Sequence, residues 1–323
     1  MTNSSQTDKP KAPETERPSP AERRGPLLRP GAIMRGRFEL IEEIGRGGFS
    51  VVYRARDIVA AKAGLRDPEV ALKIIVADES CDPDIVALMH REARRLRDLV
   101  HPNIVRVYDM DVQGSAHLMV MECLEGQTLA ETLKTVDDRK LDAAKIPILV
   151  RDVSAALIFA HERGVIHADL KPGNVFIETN GAIKLIDFNI AYPVAHKPSE
   201  GEEDTIRILG RLGAVTPRYA SPQRLEGLEP SPGDDVFSLG VLTYMAASGK
   251  LPFAEKNASE AREENVQPTA PGSLSATQWA ALRRALAYDD KDRTATIADF
   301  ARDFLKSGLP SIGSWFGIRR TAP

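Results

Sequence analysis

Near residues 122 to 126 the chain changes its hydrophobic period, and that change limits the fold more than any other feature. Upstream, apolar residues come in runs of strand length. "RFELIEEIG" alternates Phe38, Leu40 and Ile44 with charged residues, "SVVYRARD" follows a glycine turn, and "VALKIIVA" is nearly continuous; "IVRVYDMDV" and "HLMVME" come later. Such runs, bounded by turn residues, predict strands. "AAKAGLRDPE" between them reads as a loop. One helix interrupts the strands, marked by Ile85, Leu88, Met89, Leu96 and Leu99 at spacings of three and four. Downstream, Ile146, Leu149, Val150, Val153, Leu157 and Ala160 trace one face of a long helix, and "DVFSLGVLTYMAASG" predicts a buried helix closed by Gly249. A strand-rich third followed by a helix-rich remainder predicts an α+β chain of two lobes. The expected limits are a first lobe over 37–122, a connection over 123–126 and a second lobe over 127–307. Residues 1–36, rich in Pro and charge, and the tail 308–323 flank them; the first cannot bury enough apolar surface to order itself.

Bulk properties narrow the function classes. A length of 323 residues, 42% hydrophobic and 28% charged, suits two packed lobes. Two cysteines, Cys81 and Cys123, are too few for a disulfide framework or a zinc site, which fits a reducing compartment. With no leader pattern and no long apolar run, the expectation is a soluble, cytoplasmic chain without a transmembrane segment. A formal net charge of -3 gives no basic field for nucleic acid.

Several charged residues interrupt segments otherwise built for burial. Lys73 breaks "VALKIIVA", and Glu92 falls on the apolar helix stripe, four residues from both Leu88 and Leu96. Either they pair with each other or each stretches its charged end to water. "GRGGFSVV" offers Gly45, Gly47 and Gly48, with Arg46, Phe49 and Ser50, as a turn whose backbone amides can approach phosphate; alone it is an ordinary hairpin turn. "HADLKPGN" sets Asp169, Lys171 and Asn174 between apolar flanks, and "IKLIDFNIA" puts Asp187 at the end of another apolar strand. Two carboxylates and an amide supply hard oxygen ligands and a base, a set that suits Mg²⁺ bridging phosphates. The bland alternative for Asp169 is a loop residue capping its own backbone.

Taken in order, "GRGGFSVV", "VALK", Glu92 before "HPNIV", "VMECLEG", "HADLKPGN", "DFN", "VTPRYASPQ" and "DDVFSLG" resemble the eukaryotic-like (Hanks-type) Ser/Thr protein kinases of bacteria. The resemblance runs from about Arg37 to Ser307 and implies a bilobal kinase fold, with ATP between a β-rich lobe and a helical lobe. It implies that Lys73 holds the α and β phosphates and Glu92 orients it, that Asn174 and Asp187 bind Mg²⁺ or its substitute Mn²⁺, that Asp169 takes the substrate hydroxyl proton and that Lys171 steadies the transferred group. Adenine would lie between Val52 and Ala71 above and Phe176 below, bonding the backbone of Glu122 and Leu124, with Met121 at the back. Leu96, Val107, His167 and Phe188 would stack as a spine, and Cys123 beside the hinge would be inert. Protein Ser/Thr hydroxyls are the implied acceptors, with autophosphorylation at sites such as Ser199 or Thr205.

Four departures from the family pattern stand out. Ala168 replaces an Arg that receives an activation-segment phosphate, so activity is expected without that phosphorylation; "EGEED" at 200 to 204 is a phosphate mimic or a solvated loop. Asn189 replaces a glycine, Gln223 replaces a glutamate that pairs with an Arg, here Arg293, and Ser50 replaces the third glycine of the turn. A softer second lobe is the expectation from Gln223. These changes keep alive a nucleotide-binding pseudokinase scaffold as the alternative, and a small-molecule phosphotransferase as a third reading. Trp315 and Phe316 before two arginines suit contact with a membrane surface or a partner, against the plainer reading of an ordinary C-terminal tail.

Overall fold

The computed structural model describes residues 28–47, 50–76, 90, 94, 96–188, 192–193 and 216–306. The first lobe is an antiparallel sheet of β1 (Ile33–Met34), β2 (Phe38–Arg46), β3 (Val51–Asp57), β4 (Glu69–Val76), β5 (Val107–Gln113) and β6 (Ala116–Glu122), in the spatial order β1-β2-β3-β4-β6-β5. Alternation along each strand divides its residues between two cores. Val51, Tyr53 and Ala55, then Val70, Leu72 and Ile74, then Leu118 and Val120 pack on the outer face. Ala71 and Ile75, with Met119 and Met121, pack on the inner face, in the core that continues into the second lobe. Lys73 lies between Ala71 and Ile75 and therefore points inward with them, 9% exposed.

Three local expectations are corrected. Ordered structure begins before residue 37: β1 pairs with β2, and Leu28, Ala32 and Met34 pack on the outer face of the sheet, which otherwise would be open to water. Ile44 is 45% exposed, unlike Phe38 and Leu40. Register shifts between Leu40 and Glu42 and between Glu43 and Gly45 break the alternation in β2, as bulges do. Part of the predicted loop is helical, because Asp57 Oδ1 accepts from the amides of Val59 and Ala60 and so caps α1 (Ile58–Lys62).

The second lobe is built on α2 (Leu129–Thr135), α3 (Ile146–Glu162), α4 (Pro222–Leu225), α5 (Pro232–Ser248), α6 (Ala258–Glu263), α7 (Ala276–Ala285) and α8 (Ile297–Leu305). α5 is buried along nearly its whole length because α3, α7 and α8 all pack against it. It ends at Gly249 in the left-handed conformation at φ 73°, where a Cβ would collide with the Asp138 carbonyl. Between the lobes, β7 (Gly126–Thr128), β9 (Val175–Glu178) and β10 (Ile183–Leu185) form a small sheet, and β8 (Val165–Ile166) pairs with β11 (Tyr192–Pro193). The segment leading into β5 is stitched to this sheet: Val105 donates to the Leu185 carbonyl at 2.8 Å and Leu185 donates to that of Asn103 at 2.9 Å.

Candidate active site

A cleft of about 490 Å³ separates the sheet of the first lobe from the β7-β9-β10 sheet. Its ceiling follows from strand alternation: Val52, Ala71, Lys73 and Met121 share the inner face, and Gly45, Arg46, Gly47 and Ser50 close the outer end. Phe176 forms the floor, paired with Thr128 on one side and Lys184 on the other. Glu122 and Leu124 line the edge where the chain passes between lobes. Ile44, Val105, Ile186, Thr128 and Glu131 also line the cleft, a position that periodicity assigns to none of them. The exposure of Ile44 is thereby accounted for.

The charged groups meet at the inner end. Lys73 Nζ donates to Asp187 Oδ1 at 3.1 Å, joining β4 to the end of β10 across the cleft. The β9-β10 hairpin pairs Val175 with Leu185, and Ile186 donates to the Asn174 carbonyl at 3.0 Å, so Asn174 and Asp187 emerge at the same end of the sheet. Asn174 is 4% exposed and its amide donates to the Asp169 carbonyl at 2.9 Å. Lys171 Nζ donates to Asp169 Oδ2 at 2.5 Å and to Thr216 Oγ1 at 3.0 Å, and the Thr216 amide reaches Asp169 Oδ1 at 3.3 Å. Asp169 thus binds a segment far along the chain and does not cap its own loop. Glu92, Gly48 and Phe49 lie outside the described residues, as do Asn189, Ser199, Thr205, residues 200 to 204, Cys81, Trp315 and Phe316.

A buried carboxylate holds the loop in place. Asp235, in the first turn of α5, is fully buried, and its oxygens accept from the amides of His167 at 2.9 Å and Ala168 at 2.8 Å and meet His161 Nε2 at 2.7 Å. Burial alone would raise its pKa, but the hydrogen bond and charge of His161, with the ring and amide of His167, outweigh it and hold the carboxyl below its ordinary value. Ala168 sits at φ 61°, in the left-handed region, and the two amide bonds to Asp235 fix that conformation. Asp235 gives the same signal as Lys73, a charge set in an otherwise apolar element, here a helix where Lys73 sits in a strand, and that signal could have found it.

The four residues expected to stack, Leu96, Val107, His167 and Phe188, are all buried, and the rings of His167 and Phe188 lie 4.6 Å apart. Asp169 donates its amide to His167 Nδ1 at 3.3 Å, so Nδ1 is the unprotonated nitrogen. Burial lowers the His167 pKa more than the neighbouring Asp235, Asp169 and Asp187 raise it. Because folded His167 resists a proton that the unfolded chain accepts near pH ~6.5, stability present above that pH is lost as pH falls below it. His101 and His117, also lowered by burial, act in the same direction. Urea unfolding between about pH 7.5 and 5.5 is expected to show this loss, and His167→Phe to remove up to about 1.4 kcal/mol per pH unit of it.

Gln223 accepts from Arg293 at 2.8 Å and donates to the Tyr288 carbonyl at 2.9 Å, so the expected pair forms without a second charge. Asp290 supplies that charge instead, at 2.6 Å from Arg293. Cys123 is half-buried, and burial raises its pKa, which keeps the thiol protonated. Among the described residues no helix is long and apolar enough to cross a membrane.

A family model described as protein kinase domain matches residues 38–309. The curated relatives include the serine/threonine-protein kinase PknB of Mycobacterium leprae, 32% identical over 286 residues that cover 85% of this chain and 44% of that protein. The serine/threonine-protein kinase Pkn1 of Myxococcus xanthus is 33% identical over 276 residues, 82% of this chain and 37% of its own, and PrkC of Bacillus subtilis is 30% identical over 249 residues, 77% and 36%. The chain therefore spans less than half the length of these relatives.

Proposed function

This chain belongs to the protein kinase domain family, and on that premise we propose that it transfers the γ-phosphoryl group of ATP to Ser or Thr hydroxyls of proteins, its own included. The catalytic unit spans residues 37–307. The observation that carries the proposal is the Lys73–Asp187 bond at 3.1 Å across a cleft whose far wall holds Asn174. In this reading Val52, Ala71 and Phe176 sandwich the adenine, the backbone of Glu122 and Leu124 bonds its edge, and Met121 closes the back. Lys73, oriented by Glu92, and the Gly45–Ser50 turn hold the phosphates.

A carboxylate and a carboxamide at the mouth of one hairpin are hard oxygen donors, too few to cage Ca²⁺ and suited to a cation that takes the rest of its shell from phosphate and water. Asp187 and Asn174 would hold Mg²⁺ or Mn²⁺, which when bound neutralises charge on the phosphates. Asp169, gripped by Lys171 and the Thr216 amide, takes the proton of the attacking hydroxyl. Lys171 faces charge developing on the transferred group. Ala168 has a methyl group where the family's phosphate-receiving cation would be, which supports activity without activation-segment phosphorylation.

Incubation with γ-labelled ATP, Mg²⁺ and a generic protein substrate tests the proposal. Label on Ser or Thr is the expected outcome. Nucleotide-dependent thermal stabilisation with no transfer would support the scaffold reading instead.

A further inference from the structure

Glu122 is the last residue of β6, at the edge of the cleft, and its carboxylate faces both lobes. Oε1 accepts from the backbone amide of Arg106 at 2.7 Å, just ahead of β5 in the first lobe, and from Lys184 Nζ at 2.7 Å, on β10 below the cleft. The Glu122 amide in turn donates to the Arg106 carbonyl at 2.9 Å, so backbone and side chain grip the same residue. The Glu122 and Lys184 side chains are 20% and 13% exposed, which spares the pair most of the screening that weakens surface ion pairs. Lys184 lies opposite Phe176 in the β9-β10 pairing and three residues before Asp187. The bond therefore connects the edge of the ceiling to β10, the strand that leads to Asp187 and braces the floor.

We propose that Lys184 and Glu122 form an electrostatic latch across the hinge that sets the separation of ceiling and floor, making Lys184 a positioning residue for nucleotide. The latch rests on the kinase assignment, because it matters only if nucleotide occupies this cleft. A partner in the small sheet and a partner at the hinge must both be present for it to act, so the two side chains should be energetically coupled.

Affinity for ATP with Mg²⁺ is measured for the parent and for Lys184→Met, Glu122→Gln, the double variant and Lys184→Arg. Gln at 122 still accepts from the Arg106 amide while losing the charge that Lys184 needs. Each single variant is expected to bind about tenfold more weakly, the double variant no more weakly than the singles, and Lys184→Arg close to the parent. For Lys184→Met, KM for ATP rises while kcat at saturating ATP stays within about twofold, the mark of lost uniform binding. Parent-like affinity in Lys184→Met, or fully additive losses in the double variant, would overturn the latch. If Lys184→Met does not fold, Glu122→Gln binding like the parent overturns it equally. A parent that binds no nucleotide defeats the kinase assignment itself, and that failure is visible before any variant is compared.

Discussion

The Asp169→Asn variant is expected to lose about three orders of magnitude in phosphoryl transfer, within the range of about 10² to 10⁴ for removing a positioned general base, while binding nucleotide as the parent does. Asparagine keeps an acceptor for the Thr216 amide but has no charge to receive a proton or to hold Lys171 Nζ, which now lies at 2.5 Å. The Lys171 side chain is 30% exposed, so its freed ammonium can turn to water and the fold should tolerate the change. Single-turnover transfer and calorimetric nucleotide titration on the same preparation separate the two effects. A variant that retains a tenth of the parent rate would remove Asp169 from the chemistry.

Asp235→Ala carries the largest expected loss of stability, about 4 kcal/mol by urea unfolding, in the range for removing one partner of a buried charged network. Its three partners, the amides of His167 and Ala168 and the His161 ring, lose their shared acceptor where water cannot replace it. Ala168 loses the bonds that fix φ at 61°, so the backbone leading to Asp169 is freed to relax and transfer should fall with stability. Asp235→Asn keeps one acceptor oxygen but turns an NH₂ toward a donor, and should cost less. A loss below about 1 kcal/mol for Asp235→Ala would mean that the loop is held by other contacts.

Much of the site is legible in the sequence, because strand alternation assigns faces without any knowledge of pairing. In "VALK" the period of two puts Ala71 and Lys73 on one side, and the structure has both on the cleft. The spacing in "HADLKPGN" likewise anticipates one loop bearing Asp169, Lys171 and Asn174. The place of Ile44 at the cleft is not legible because it falls in the second of two bulges that interrupt the alternation of β2, and bulges leave no reliable mark in hydropathy. The strand Ile33–Met34 escaped because two residues carry no period, and its stability comes from covering the outer core. The Lys184–Glu122 bond joins residues 62 positions apart through strand registers that periodicity does not encode. Asp235 is the instructive omission, since "DDVFSLG" displays a carboxylate at the start of an apolar helix while nothing in the sequence says which donors it serves.

In the proposed reading the catalytic groups stand ready although Ala168 lacks the cation that would receive an activation-segment phosphate. The deciding quantity is the transfer rate of fully dephosphorylated protein, prepared by phosphatase treatment and verified by intact mass, against untreated protein and with Asp169→Asn as the blank. The first two initial rates are expected to agree and to stand far above the blank. A dephosphorylated rate that falls to the blank, and recovers as phosphate returns to the activation segment, would contradict it.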